Sequence, residues 1–323
     1  MKKVINKTHI EGPVYQHSLE LKVSGPDSKN PGTEFISGSI EIATDDAGIN
    51  IVPVHFTYTT ATFGKSGKVN ETFNTLKNFI DGVYKTIMKD GADVATKVRI
   101  DSAIGLNEFY ADRNGVEEFV SVKRNEGGFV HVTSTIDENE KNRNTFDVDM
   151  VITKVRRVEG DPEKNTTDKV IVGGAIFDFR NNLLPVEFSV VNASGMDYFE
   201  NLGASNSAPV FTHIKGAQVS ETIVRTITEE SAFGEPSVRE VKNTRKDFVI
   251  TWASQDPYLW DDESSITAAE MREAMASRET TMATIKQRND AWKASRGQTA
   301  PAAPAPGGFN FYYNHIMKVK GDK

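Results

Sequence analysis

The 323-residue chain contains no cysteine, so disulfides, thiolate metal sites and cysteine nucleophiles are excluded. It also lacks any apolar run long enough to cross a membrane, and its N-terminus, MKKVINKTHIEG, lacks the apolar segment of a signal peptide. From these absences we expect a cytoplasmic protein without a membrane partner.

Recognisable catalytic and metal-binding patterns are missing as well. The six histidines show no ligand spacing, and there is no HExxH, EF-hand, nucleophile-elbow or GxGxxG pattern. The nearest approach to a phosphate loop is Gly64–Lys68, but Thr62 stands where its first glycine is needed and Val69 replaces the magnesium-binding Ser or Thr. We therefore expect no enzyme activity, no cofactor and no metal.

The net charge is −7, and no long segment of the chain is strongly basic. Since salt screens exposed charges over about 8–10 Å, net charge alone does not exclude a polyanion partner. Any polyanion site must therefore be a local cluster of cations.

An internal repeat organises what is present. Phe35–Tyr58 indicates two strands joined by a turn, with Val54, Phe56 and Tyr58 on one side of the second strand. Val170–Val190 has the same layout, and Ile51–Thr57 matches Leu183–Ser189 at an offset of 132 residues. Upstream, Leu19–Val23 matches Val151–Val155 at the same offset. Two matches at one offset predict a duplicated domain.

Each half then shows three strands, a helix and two further strands. In the first half the strands begin near Tyr15, and Asn70 is the expected N-cap of a helix that continues to Ile87. This order is typical of the OB-fold barrel, with a β-sandwich as the alternative. We predict a mainly β protein with helices, made of two tandem OB-fold-like five-stranded barrels, a C-terminal helix and a flexible tail. The expected domains are residues 1–140, 141–257, 258–297 and 298–323.

Thr267 and Glu270 form a capping box at the start of the C-terminal helix. Its apolar seam indicates packing on the second barrel or pairing with another subunit to form a homo-oligomer; the seam residues are Met271, Met275, Met282, Ile285 and Trp292. A Pro/Ala/Gly linker, Gln298–Gly308, leads to an aromatic tip that we interpret as a partner-binding motif. The tip residues are Phe309, Phe311, Tyr312 and Tyr313.

Barrels that bind single-stranded nucleic acid combine surface cations with outward rings on which bases stack. Strand alternation, strand ends and the loop between the last two strands predict such residues in both repeats. In the first domain they are Phe35, His55, Phe63, Lys65, Lys68, Arg99, Phe109, Tyr110, Arg113, Lys123 and Arg124. In the second they are Arg156, Arg157, Arg180, Phe211, His213, Lys215, Arg245 and Lys246.

The first domain resembles bacterial and phage single-stranded DNA-binding proteins in two short motifs. Ile40–Thr44 resembles that family's strand ending in Ala-Thr, and Phe63-Gly64-Lys65 resembles its Phe-Gly-Lys step. The resemblance implies a base-stacking role for Phe63 and a tail that recruits replication or recombination proteins. It covers about a third of the chain, and the tip departs from the family's acidic tip that ends in Pro-Phe.

We therefore expect a non-enzymatic protein that coats single-stranded DNA in replication or recombination, located in the bacterial cytoplasm if it is phage-encoded. Two alternatives remain open at this point. One is a virion-type structural or assembly protein whose barrels dock other proteins. The other is a sugar-binding β-sandwich with Trp252, Tyr258 and Trp260 as platforms.

Overall fold

The computed structural model describes residues 4–26, 28–160, 166–229, 233, 237–260 and 266–297. The strands of the first half are β1 Asn6–His17, β2 Glu20–Val23, β3 Glu34–Ala43, β4 Ile51–Thr60, β5 Thr62–Phe63, β6 Lys68–Val69, β7 Lys97–Arg113 and β8 Val116–Thr133. Its helices are α1 Glu71–Ile80 and α2 Ile87–Asp90. The later strands are β9 Asn144–Val158, β10 Lys169–Phe177, β11 Leu183–Val190, β12 Val210–Glu229 and β13 Ser237–Ala253, with helices α3 Ala193–Asn201 and α4 Ala268–Gly297.

The first barrel closes in the order β1-β3-β4-β8-β7 and back to β1. All of its pairings are antiparallel except β4 with β8, and α1 lies between its third and fourth long strands. Strand β2 continues the path of β1 along β3. This is the OB-fold arrangement.

The second barrel repeats the arrangement in the order β9-β10-β11-β13-β12 and back to β9, with β11 and β13 parallel and α3 in the place of α1. The prediction of a mainly β chain with two five-stranded OB-fold barrels and a C-terminal helix is confirmed.

Each barrel has its own core, and a helix covers part of it. Alternate residues of the first barrel's strands point inward, and Phe73, Leu76 and Phe79 of α1 pack beneath them. Met196 and Phe199 of α3 do the same in the second barrel. The predicted capping box is present, since Thr267 and Glu270 exchange hydrogen bonds at the start of α4. Asn70 does precede α1, but its side chain makes no cap hydrogen bond and donates to the Thr60 carbonyl instead.

The two barrels share one sheet, because β1 pairs antiparallel with β9 between Asn6↔Val148 and Ile10↔Asn144. The long β7–β8 hairpin adds to this connection. Beyond the first barrel, β7–β8 continues as a ribbon whose Ile104 and Leu106 pack against the second barrel's core. We call the part of this ribbon formed by residues 104–125 the arm.

Helix α4 lies against the arm. Arg278 pairs with Glu108, with Nη1 2.6 Å from Oε2, and Lys293 lies 2.5 Å from Glu117. Hydrogen bonds to Lys293 and Lys286 lower the pKa of Glu117 to about 2. Of the seam residues, Met271 packs against the second barrel near the start of the helix, and Arg278 and Lys293 bind the later part of the helix to the arm.

The structure corrects three details of the sequence analysis. The first strand begins at Asn6, well before Tyr15, because it pairs with β9 from that residue onward. The upstream match at an offset of 132 residues does not align equivalent positions, since Leu21 pairs with Ile36 near the start of β3 whereas Val151 pairs with Ala175 near the end of β10. The helix after Asn70 ends at Ile80, and Ile87 begins a separate short helix.

Candidate nucleic-acid interface

The outer face of β9, β10 and β11 carries most of a cationic groove. In these strands alternate side chains point into the core, so Lys154 and Arg156 of β9 and Lys169 of β10 point outward. Gly173 of β10 lies in the same outward row, opposite Glu187 of β11. β10 and β11 are the second and third strands of their barrel, and we call this outer face the strand 2–3 side. OB folds bind oligonucleotides on this side.

The arm forms the opposite wall, so the groove belongs to both barrels. It has a volume of about 790 Å³ and also takes in Phe119 and Ser121 of the arm and Arg278 of α4. Its cations are Lys123, Lys154, Arg156, Lys169, Lys246 and Arg278, and its carboxylates are Glu108, Glu187 and Asp247. Twice as many cations as carboxylates converge there, on a chain whose net charge is −7.

Three of the cations are paired inside the groove. Arg156 lies 3.5 Å from Glu187, Lys169 lies 3.1 Å from Asp247, and Arg278 pairs with Glu108. Lys154 and Lys246 are exposed and make no ion pair with any residue in the described ranges. These two cations are therefore available to an anion without the loss of an existing pair.

Lys123 is a partly buried cation of the groove. Its Nζ lies 4.6 Å from the ring centroid of Phe188 and 4.9 Å from that of Phe248, and it donates a hydrogen bond to the Glu187 carbonyl. Burial lowers the pKa of Lys123 to about 8, and the nearby Asp247 and Glu187 carboxylates partly oppose the shift. The sequence placed Lys123 at a strand end, but it lies within β8 because that strand continues to Thr133.

Gly173 leaves the floor of the groove open. A Cβ built there would lie 3.6 Å from the side chains of Glu187 and Lys154, which is ordinary van der Waals contact. At the neighbouring Gly174 the same atom would lie 2.0 Å from the carbonyl oxygen of Val151. Gly174 is thus required by the backbone, whereas Gly173 accepts a side chain that would project into the groove.

The first barrel presents a different surface on its strand 2–3 side, which is formed by β3 and β4. Phe35 of β3 and Tyr58 of β4 are ring neighbours with centroids 4.5 Å apart, and the Tyr58 hydroxyl lies 3.2 Å from Ser24 Oγ. Tyr58 is 47% exposed. In the sequence Tyr58 shares the parity of Val54 and Phe56, but its side chain points outward because the β3–β4 register shifts between Ile36 and Gly38.

Phe63 and Lys68 lie beyond the end of β4. They are opposite each other in the β5–β6 pair, and Phe63 is 44% exposed. The side chain of Lys65 lies outside the described part of the structure. The Phe-Gly-Lys step therefore presents an exposed ring beside one described cation.

On the arm, Tyr110 packs edge-on against Phe119 at 5.4 Å between ring centroids, and Lys286 Nζ lies 5.1 Å from the Tyr110 ring. Phe109, the next residue along β7, has the opposite parity and is exposed on the other side of the ribbon. The arm thus directs Tyr110 toward α4 and leaves Phe109 to solvent. The side chain of Arg113 lies outside the described residues.

Three predicted arginines lie apart from the groove and carry local contacts. Arg99 pairs with the buried Glu11 at 2.9 Å, and Arg157 pairs with Glu200 at 3.1 Å. Arg180 follows the end of β10 and lies over its neighbour Phe179.

The predicted cluster Phe211, His213 and Lys215 does not form an open binding row. Phe211 points out of the second barrel but is only 2% exposed, because Tyr258 and Trp260 cover it. The parity argument could not foresee this cover, which comes from a segment after the last strand.

His213 lies between two carboxylates of β9, with ring nitrogens 2.7 Å from Asp149 and 2.9 Å from Asp147. Tyr258 also bonds Asp149, and burial raises its pKa to about 12. Lys215 Nζ lies 5.4 Å from the Trp252 ring and 3.6 Å from Asp147.

Two sets of predicted residues cannot be placed. The side chain of Arg245 and the tip residues Phe309, Phe311, Tyr312 and Tyr313 lie outside the described part of the chain. Within the described part, no group of His, Asp and Glu could hold a metal ion. No helix there is long and apolar enough to span a membrane.

Several groove residues were not among those predicted from the sequence. Lys154, Lys169 and Gly173 had a usable signal, since they alternate with the apolar residues of β9 and β10. Arg278 had none, because its place depends on how α4 packs against the arm.

The strand order and the groove together define a two-barrel OB-fold protein with a cationic surface between its barrels. The chain belongs to the YorF family, whose model matches residues 4–288. No curated protein matches the sequence.

Among solved structures, the chain is similar to the wild-type single-stranded DNA-binding protein from Thermus aquaticus, with 10% identity, a TM-score of 0.43, and coverage of 79% of this chain and 94% of that one. A deletion mutant of the same protein matches with 8% identity, a TM-score of 0.44, and coverage of 81% and 100%. At these TM-scores the two likenesses say nothing of this chain's function.

Proposed function

We propose that this protein binds single-stranded DNA without sequence preference and without enzymatic activity. The observation that carries the proposal is the cationic groove on the strand 2–3 side of the second barrel, where Lys154 and Lys246 have no ion pair within the described residues. A phosphodiester backbone brings one negative charge per nucleotide, and a cationic groove that follows it releases counterions.

The rings of the first barrel supply the second component of binding. The half-buried Phe35 and the exposed Tyr58 form an aromatic pair on the equivalent strands, and Phe63 lies further along. A base stacked on such a ring contributes about 1–3 kcal/mol, for any of the four bases. Cations for phosphates and rings for bases favour a single strand, since the bases of a duplex are already stacked and paired.

The biological setting follows from this activity. The protein would coat single strands exposed in replication or recombination in the bacterial cytoplasm, in an infected host if it is phage-encoded. The aromatic tip would recruit other proteins of those processes, and α4 would supply any contact between subunits.

Binding is tested by fluorescence anisotropy with a labelled 30-nucleotide poly-dT and a duplex of equal length, at two salt concentrations. We expect the single strand to bind more tightly, with an affinity that falls as salt rises. Lys154→Glu should weaken binding and reduce the slope of log K against log salt by about 0.7 per lost phosphate contact.

Lys89→Glu is the matched control, because Lys89 is an exposed lysine on α2, which packs against β1 and contributes no residue to the groove or to the ring pair. It should leave the affinity within about twofold of wild type. If poly-dT does not bind, or binds without salt dependence, the proposal fails and the assembly protein becomes the better account.

A further inference from the structure

The outer faces of the two barrels meet at a joint between β8 and β12. Asn125 and Gln218 exchange two hydrogen bonds of 2.8 Å there, and both side chains are buried. Arg124 precedes Asn125 on β8, and Lys246 lies on β13 two residues from the partner of Gln218. A cation from each barrel therefore flanks the same joint.

His55 of β4 lies beside these cations. Arg124 Nη2 lies 3.4 Å from Oγ1 of Thr57 and 2.9 Å from the carboxylate of Glu126, which pairs with His55 across β4 and β8. Burial, followed by the charges of Arg124 and Lys246, lowers the pKa of His55 to about 4, while Glu126 acts in the opposite direction. At neutral pH the joint thus holds two fixed cations and a neutral imidazole against one carboxylate.

The donors at this joint are not all used. Arg124 Nε is buried and has no hydrogen-bond partner in the described part of the protein, and Lys246 has no ion pair there. A buried unpartnered donor costs free energy comparable to a lost hydrogen bond. The Arg124 side chain as a whole is 20% exposed, so it is partly open to an anion at the joint.

We propose that Arg124, Lys246 and His55 form a phosphate subsite through which one single strand passes from the groove of the second barrel to the aromatic face of the first. This proposal rests on the proposed function and adds the route that the single strand takes between the two barrels. Lys246 lines the groove, and Thr57, which Arg124 contacts, precedes Tyr58 on β4. The two faces then act as one continuous binding track.

The first test is a double-mutant cycle on the full chain with the 30-nucleotide poly-dT. Two residues that bind the same phosphate give non-additive effects, whereas independent sites give effects that multiply. We expect Lys246→Ala and Arg124→Gln each to weaken binding about tenfold, and the double variant to be little worse than either single variant.

The control cycle pairs Arg124→Gln with Lys154→Ala, which lies elsewhere in the groove and should give effects that multiply. If the Lys246 and Arg124 effects also multiply, the shared subsite is refuted. Binding by the wild-type chain would still support the proposed function in that case.

The second test observes His55 directly, by NMR of ring-labelled histidine, with a His55→Asn variant to assign its signal. A phosphate beside the imidazole favours the protonated form and should raise the pKa of His55 by about one unit or more when poly-dT is bound. Lys246→Ala should reduce this shift, while His131, exposed on β8, should not move. A His55 pKa that stays near 4 on the saturated complex overturns the subsite without touching the proposed function.

Discussion

The two barrels share a strand order but differ in the chemistry of their outer faces. On the strand 2–3 side, the first barrel presents the ring pair Phe35 and Tyr58. The second barrel presents Lys154 and Lys169, and Gly173 of β10 lies between Lys154 of β9 and Glu187 of β11. The fold was repeated, but the surface chemistry of the first barrel does not recur in the second.

This difference suggests a division of binding work. A phosphate-binding groove gives affinity that depends strongly on salt, whereas base stacking depends on it weakly. The following variants separate these contributions, beginning with the largest expected effect.

Gly173→Leu should close the groove. A side chain fits at this position without a backbone clash and would fill the space over the floor. We expect affinity for poly-dT to fall about 100-fold with the melting temperature nearly unchanged, since several phosphate contacts are lost together. Anisotropy and thermal denaturation measure the two effects.

Gly173→Ala is the control for that variant and should bind like wild type, because its Cβ makes only ordinary contacts. Full affinity in the leucine variant would show that DNA does not occupy the groove.

Tyr58→Ala should weaken the base-stacking contribution to binding. Loss of one stacking ring should weaken binding about tenfold, within the 1–3 kcal/mol typical of such rings. The factor should be the same at low and high salt, unlike the effect of Lys154→Glu. Tyr58→Phe keeps the ring and should bind normally; an effect of Tyr58→Ala that vanishes at high salt would contradict a stacking role.

Lys123→Met tests how the arm rests on the second barrel. Burial lowers the pKa of Lys123 to about 8 in the folded state, so the unfolded chain binds more protons between about pH 8 and 10.5. The free energy of unfolding should therefore rise with pH across that window in the wild type.

The methionine variant should lose that rise and gain about 1 kcal/mol at pH 7, since an apolar side chain replaces a partly buried charge. Urea denaturation at several pH values measures both quantities, with Lys89→Met as the exposed control. A methionine variant that keeps the wild-type pH dependence would assign it to another group.

The sequence predicted the barrels better than their surfaces. Inward residues such as Ile40 and Val186 follow a period of two that the core enforces, and the repeat and helix caps fixed the order of elements. Surface predictions relied on the same alternation and missed Tyr58, which points outward because a local register shift changes the alternation. The prediction that Phe211 is exposed failed for another reason, because Tyr258 and Trp260, which follow the last strand, cover its ring.

The groove itself lay beyond sequence reasoning. It forms only when the first barrel's arm lies across the second barrel, so Lys123 and Lys154 become neighbours through packing between domains. Arg278 joins them from a helix more than 100 residues further along the chain. No local sequence pattern predicts this packing between distant segments.

The antiparallel pairing of β1 with β9 joins the two halves of the chain by backbone hydrogen bonds. A nick introduced between Thr133 and Asn144 would leave both fragments held together by their shared backbone ladder. Each fragment produced separately would expose the edge that its sister normally occupies, and such an edge readily pairs with other chains. Co-expressed fragments should therefore reassemble as a split protein, whereas either one alone would self-associate.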